Sequence, residues 1–120
     1  MSEEERRNLE HQQYLEKRLK QVTPELFADF LASKGVAVPV CLCCGSDNVG
    51  SPQAQEVEVG PNGSRSSVYV SWVKVDTYGP PLSFINYEHR IICRNCGFTS
   101  YHSVWPVVKW VEEKLNESKE

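Results

Sequence analysis

Four of the five cysteines in this chain occur in two Cys-x-x-Cys-Gly turns, a spacing that suits metal binding. Zinc takes four ligands tetrahedrally, and two thiolates that flank a two-residue turn can occupy one edge of that tetrahedron. The glycine after each turn suits a positive φ, which lets backbone N–H groups point at the sulfurs. The sequence therefore predicts one structural Zn²⁺ per chain, held by Cys41, Cys44, Cys93 and Cys96.

Disulfides are the alternative use of these thiols, because neighbouring cysteines oxidise in secreted proteins. The start of the chain lacks the apolar segment and cleavage site of a secretory signal, which favours a cytoplasmic protein with reduced thiols. Cys43 lies between two ligands, where we expect its side chain to point away from the metal and its thiol to be inert. His89 and His102 flank the second turn, but four cysteines leave no ligand position for them.

The size and charge of the chain narrow the choice of function. It has 120 residues, which is enough for one small domain, and a metal site supplies folding free energy that a small core can lack. No segment approaches the roughly 20 apolar residues of a membrane span, so we expect no membrane association. The formal net charge of −3 does not favour a protein that binds duplex DNA mainly through its phosphates.

The uneven distribution of charge along the chain is compatible with nucleic acid as a partner. Between Gly63 and Trp110 the chain has five basic and two acidic residues, together with nine of its twelve aromatic residues. A basic, aromatic sheet can stack on unpaired bases, although aromatic residues at strand spacing are also typical of a core. The stacking candidates are Tyr69, Trp72 and Tyr87. The candidate nucleic-acid-binding residues are Arg65, Lys74, Arg90 and Arg94.

Residues 1–35 are predicted to form a helical arm of two helices. Ser2 and Glu5 match a capping box, so the first helix should run from residue 2 to about residue 22. Thr23 and Pro24 start a second helix that should reach about Ser33, with Gly35 as its left-handed cap. An apolar series in the first helix has the spacing of a coiled-coil seam, which predicts docking onto the rest of the chain or a homodimer interface. This seam comprises Leu15, Leu19 and Val22.

Residues 36–116 are predicted to form a zinc-binding domain with a small antiparallel sheet and a C-terminal helix, followed by a disordered tail at 117–120. The fold class is therefore α+β. Residue patterns predict strands at 55–59, 67–76 and 84–92, a hairpin turn at Asn62 and Gly63, and a break at 78–81. Residues 98–101 should return antiparallel to the last of these strands. Ser103 should cap a helix whose apolar stripe comprises Val104, Val108, Val111 and Leu115.

The two cysteine turns resemble those of the zinc-ribbon fold group, in which two knuckles at the tips of hairpins clamp one zinc. The likeness covers about residues 40–101 and implies the same four ligands, but no activity, because ribbons serve many functions. The chain also resembles small phage-type restriction-alleviation proteins, in its Cys-x-x-Cys-Gly-Ser start and a tryptophan-bearing helix at 107–110. This resemblance implies interference with a host DNA-processing system. The long segment between the knuckles and the helical arm depart from that family.

Three classes of function follow from these patterns. The leading hypothesis is a non-enzymatic zinc-binding module that contacts a protein partner as an adaptor or inhibitor. The second is a nucleic-acid-binding ribbon. A metalloenzyme is the third, but catalytic zinc keeps an open ligand position, and the chain has no catalytic triad order, phosphate-binding glycine loop or paired-carboxylate motif. We therefore expect no catalysis.

Overall fold

The computed structural model describes residues 2–75 and 83–118 and confirms the predicted α+β fold class. A short 3-10 turn at Phe84–Asn86 precedes the longest strand of the main sheet. The predicted break at 78–81 lies outside the described residues. In chain order the elements are α1 (Glu3–Leu19), α2 (Pro24–Ser33), β1 (Val49–Gly50), β2 (Gln53–Gly60), β3 (Gly63–Val70), β4 (Trp72–Lys74), β5 (Tyr87–Cys93), β6 (Thr99–Ser103) and α3 (Val104–Ser118).

Local capping signals fix the bounds of the first two helices. The Ser2 hydroxyl accepts a hydrogen bond from the Glu5 N–H at 3.1 Å, as the predicted capping box requires. The Thr23 hydroxyl does the same for α2, which spans its predicted residues. Gly35 ends α2 at φ 93°, a left-handed conformation that suits glycine. Helix α1 ends at Leu19, earlier than predicted. Helix α3 continues to Ser118, so residues 117 and 118 are helical and not part of a disordered tail, while 119–120 lie outside the described residues.

Strand β5 is the centre of an antiparallel sheet. Strand β6 lies along one edge of β5, from the pair Glu88–Ser103 to the pair Ile92–Thr99. Strands β1 and β4 pair with opposite ends of β5, β1 at Ile92 and Cys93 and β4 at residues 87–89. Because β6 occupies one edge of β5 over residues 88–92, β1 and β4 must follow one another along the other edge.

The β2–β3 hairpin is inserted between β1 and β4. Its eight residue pairs form a separate two-stranded sheet that ends in a turn at Gly60 and Gly63, as the Asn-Gly signal predicts. This insertion explains much of the length between the two cysteine turns. The predicted strand at 67–76 is wrong as one element: it is divided at Ser71, whose N–H and hydroxyl both donate to the Pro52 carbonyl instead of continuing a ladder.

Helices α2 and α3 pack against one face of the main sheet, and α1 packs against α3. Residues of α1, α2 and α3 join Val70, Phe84 and Tyr87 in one hydrophobic core, so the helical arm and the zinc-binding part share that core. The predicted stripe of α3 is confirmed, because Val104, Val108 and Val111 are fully buried. Within the described residues, no helix has both the length and the apolar character of a membrane span.

The structure corrects the predicted oligomer interface on α1. Leu15, Leu19 and Val22 are all buried in the core of their own chain, with at most 4% of their surface exposed. They are therefore not available as a seam for a second copy, and intramolecular docking explains their spacing. A charged pair supports the same docking, because Arg18 donates two hydrogen bonds to Glu112 of α3, at 2.9 and 2.6 Å.

Candidate metal centre

The two cysteine turns have the same backbone geometry. In the first, the Gly45 N–H donates to the Cys41 carbonyl at 2.9 Å, and the Cys41 N–H donates to the Ser46 carbonyl at 2.8 Å. In the second, the corresponding bonds run from Gly97 to Cys93 and from Cys93 to Phe98, each at 2.9 Å. Gly45 and Gly97 have φ values of 77° and 86°, a region that glycine reaches without strain. The repeated motif is therefore a pair of matching knuckles.

The knuckles bring their four sulfurs into one cluster. The ligand atoms of Cys41, Cys44, Cys93 and Cys96 all lie within 4.8 Å of one another. Across the knuckles, Sγ of Cys41 is 3.6 Å from Sγ of Cys96, and Sγ of Cys44 is 3.7 Å from Sγ of Cys93. Tetrahedral zinc with Zn–S bonds of about 2.3 Å requires sulfur separations of about 3.8 Å. The donor set and its spacing fit one tetrahedral zinc ion.

Hydrogen bonds from the chain are directed at the sulfurs. The N–H groups of Cys43 and Cys44 approach Sγ of Cys41 at 3.3 and 3.4 Å, and the N–H of Cys96 approaches Sγ of Cys93 at 3.4 Å. The Asn95 side-chain amide lies 3.5 Å from Sγ of Cys44. These donors spread the negative charge that four thiolates around one divalent cation would carry. The sequence analysis did not predict this role of Asn95, although its position between the two cysteines of the second turn could have indicated it.

The pKa values of the cysteine thiols differ, because hydrogen bonds to the sulfurs lower some of them while neighbouring thiols and burial raise another. The Asn95 amide, followed by the Ser46 N–H, lowers the pKa of Cys44 to about 6. Hydrogen bonds from the backbone of Cys44 and Cys43 lower the pKa of Cys41. The Phe98 N–H favours the Cys96 thiolate, but the thiol of Cys41 and burial oppose it and raise the pKa of Cys96 to about 12. Zinc binds thiolates, so zinc binding must displace the proton of Cys96. Zinc affinity should therefore fall as the pH is lowered.

Cys43 and the histidines lie apart from the cluster. Cys43 is exposed and is not a member of the four-sulfur group. His89 is fully buried beneath Phe27, with ring centroids 5.4 Å apart, and its Nδ1 lies 3.1 Å from the Ser71 carbonyl. Since a carbonyl can only accept, Nδ1 carries the proton. Burial lowers the pKa of His89 and also that of His102, so both rings favour the neutral form.

The four predicted basic residues do not form one group. Side chains alternate along β5, so Arg90 and its cross-strand partner Tyr101 lie on the face opposite buried His89. Arg94 reaches that outer face as well, because a Cβ placed on Gly50, which pairs with Ile92 of β5, would lie 2.8 Å from its Nη2. Arg90, Arg94 and Tyr101 thus share the outer face.

The remaining basic and aromatic candidates lie elsewhere. Lys74 pairs with Tyr87 and therefore lies on the other side of the sheet, and Arg65 lies on the inserted hairpin opposite Glu58. Tyr87 is buried, which excludes it as a stacking platform. Tyr69 and Trp72 stack on one another at a centroid distance of 5.4 Å. Tyr101, with 54% of its surface exposed, is the aromatic ring that the sequence analysis missed.

No protein-family model, curated protein or solved structure matches this chain. The likeness to a zinc-ribbon site consequently rests on the chain's own residues: two matching knuckles, four converging sulfurs and donors aimed at them. These features form a cluster of four cysteines that could hold one metal ion, with the donor set that zinc prefers.

Proposed function

We propose that this chain is a non-catalytic zinc-binding module that acts by contacting a protein partner. The observation that carries the proposal is the cluster of four sulfurs within 4.8 Å. A zinc ion held by four thiolates has no open position for water or substrate, which is the arrangement of structural sites. The ion would fix the two knuckles relative to each other and so hold the surfaces around them rigid.

Exposed apolar residues beside the first knuckle support a protein partner. Val38, Val40 and Leu42 expose 69%, 50% and 82% of their surfaces, and Phe98 beside the second knuckle exposes 40%. Apolar side chains grouped on a surface favour protein contacts, because association removes them from water. The zinc module would hold this surface in place, as an adaptor or an inhibitor requires.

Capture from cell lysate tests this proposal. The zinc-loaded protein is used as bait, with nuclease added, and the Val38→Asp variant is compared with Val59→Asp. Val59 is a matched control, because it is also an exposed valine but lies on the hairpin. We expect Val38→Asp to lose a protein that wild type and Val59→Asp both retain. Equal capture by all three, or capture that nuclease abolishes, would contradict the proposal.

The outer face of the sheet favours nucleic acid as a second candidate partner. Arg90, Arg94 and Tyr101 share that face with one acidic residue, Glu88, and two cations beside an exposed ring suit single strands. With a net charge of −3, the protein should bind duplex DNA weakly at physiological salt. Tight, salt-resistant duplex binding that Arg90→Ala and Arg94→Ala reduce, with zinc retained, would favour this second candidate over the first.

A finer proposal concerns the partner's identity. The resemblance to restriction-alleviation proteins implies a phage-encoded inhibitor of a host nucleic-acid-processing enzyme, and the acidic net charge suits a basic nucleic-acid channel as its target. Cytoplasmic action agrees with cysteines kept as reduced metal ligands. Mass spectrometry of the captured protein tests this idea, and a captured protein without nucleic-acid-processing activity would contradict it.

A further inference from the structure

The two knuckles differ in the chain segments that enter and leave them. Beyond the second knuckle, β5 and β6 pair continuously through five residue pairs. Beyond the first knuckle, residues 36–40 form no strand, and in the described part of the chain β1 pairs only with β5. Pro39 contributes to this difference, because it has no N–H to donate to a ladder. The two segments of the first knuckle therefore diverge from each other.

A cavity of about 160 Å³ lies where these segments diverge. For comparison, an apolar cavity of about 150 Å³ holds a benzene ring. The lining is mainly apolar, so the cavity has room for one leucine-sized or aromatic side chain from outside. The principal lining residues are Phe27 and Leu31 of α2, Ala37 and Pro39 of the diverging segment, Val49 of β1 and Ile91 of β5.

Strand β1 offers hydrogen-bonding groups beside this cavity. The Asn48 carbonyl accepts from the Arg94 N–H at 2.9 Å, and Gly50 pairs with Ile92, so residues 48 and 50 direct their backbone groups at β5. In an antiparallel ladder the intervening residue directs its N–H and C=O the other way. Val49, which lines the cavity, thus presents both groups at an open strand edge. An extended peptide can pair with such an edge.

Two exposed carboxylates lie within two residues of the cavity lining along the chain, and the net charge of the protein is −3, which together favour a basic peptide. Glu25 follows the lining residue Pro24 at the start of α2, and Asp47 precedes the lining residue Val49 by two residues, with both side chains exposed. Lysine or arginine on either side of an apolar anchor would complement these charges.

We infer that the diverging segments of the first knuckle form a docking groove for an extended segment of a partner protein. That segment pairs with β1 at Val49, places one leucine-sized or aromatic side chain in the cavity, and carries basic residues beside it. The inference rests on the proposed function, since it requires a protein partner, and it adds a groove next to the exposed residues Val38 and Val40.

The test uses the full-length, zinc-loaded chain and a displayed library of octapeptides. We expect the selected peptides to share one leucine or aromatic residue with lysine or arginine near it. The Ala28→Phe variant should fill the cavity, because Ala28 is one of its lining residues. Ala32→Phe is the matched control, because Ala32 is an exposed alanine one turn further along α2 that does not line the cavity. For the best selected peptide, labelled with fluorescein, Ala28→Phe should raise Kd about tenfold or more, and Ala32→Phe should leave Kd unchanged.

An NMR titration of the wild-type protein locates the bound peptide without any substitution. Amide resonances of Val49 and Ser51 should shift on titration with the selected peptide. Failure to enrich any peptide, unchanged Kd in Ala28→Phe, or shifts confined to other surfaces would overturn the inference. A doubled molecular mass that Ala28→Phe abolishes would show a second copy in the groove and overturn the stated partner. Zinc-free protein that keeps its fold would instead count against the proposed function.

Discussion

Replacement of Leu19 by alanine tests whether α1 belongs to the core of its own chain. Leu19 exposes none of its surface and lies in the hydrophobic core with residues of all three helices. Truncation of a fully buried leucine leaves a cavity and costs about 2–5 kcal/mol. That loss is a large share of the roughly 5–15 kcal/mol by which a domain is stable. We therefore expect Leu19→Ala to lower the free energy of unfolding by about 3 kcal/mol.

Urea unfolding of the zinc-saturated protein, followed by circular dichroism, measures this change. With an m-value of about 1.5 kcal/mol/M, a loss of about 3 kcal/mol lowers the midpoint by about 2 M. Leu9→Ala is the matched control, because Leu9 is on the same helix with 46% of its surface exposed, and it should change stability by less than about 0.5 kcal/mol.

The alternative for the same residue is an interface between copies. In that case Leu19→Ala would halve the molecular mass in light scattering, and the wild-type midpoint would rise with protein concentration. Equal stabilities for Leu19→Ala and Leu9→Ala would refute the intramolecular core described here.

Individual side chains also give measurable expectations. The buried His89 Nε2 has no hydrogen-bond partner among the described residues, and burial lowers the pKa of His89, so on acidification the unfolded state binds this proton before the folded state does. The free energy of unfolding should therefore be highest above about pH 6.5 and fall below it by up to about 1.4 kcal/mol per pH unit. The fall should be smaller in His89→Asn. A double-mutant cycle on Arg18 and Glu112 should give a coupling energy of about 1 kcal/mol that shrinks at high salt, and a value near zero would contradict the α1–α3 bridge. Cys43→Ser should keep both stoichiometric zinc and the wild-type melting temperature, and loss of the metal would make Cys43 a ligand.

The parts of the fold that local chemistry determines were predictable from the sequence. The caps at Ser2, Thr23 and Gly35 act over three or four residues, so the signals lie within the elements they bound. The same holds for the cysteine turns, where the glycine and both ligands are neighbours in the chain. The apolar stripe of α3 was predictable because burial imposes the period of a helix on the sequence.

Features that depend on long-range pairing were not predictable. The division of one predicted strand at Ser71 follows from hydrogen bonds to Pro52, nineteen residues earlier. The apolar spacing of Leu15, Leu19 and Val22 is the same for a helix that docks on its own chain and for one that pairs with a second copy, so the sequence left both open. Likewise, the shared face of Arg90 and Arg94 depends on how β5 pairs with β1 and β6.

Metal analysis of ligand variants tests whether the four cysteines hold one zinc ion. Wild-type protein, purified without added chelator, should contain one zinc per chain by inductively coupled plasma mass spectrometry, because four sulfurs with tetrahedral spacing form one site. Cys93→Ser should lose the metal and much of the ordered sheet, since Cys93 ends β5 and pairs with Val49 of β1. Stoichiometric zinc retained by Cys93→Ser, or wild-type protein that binds no zinc, would show that these four cysteines are not the ligands of a zinc site.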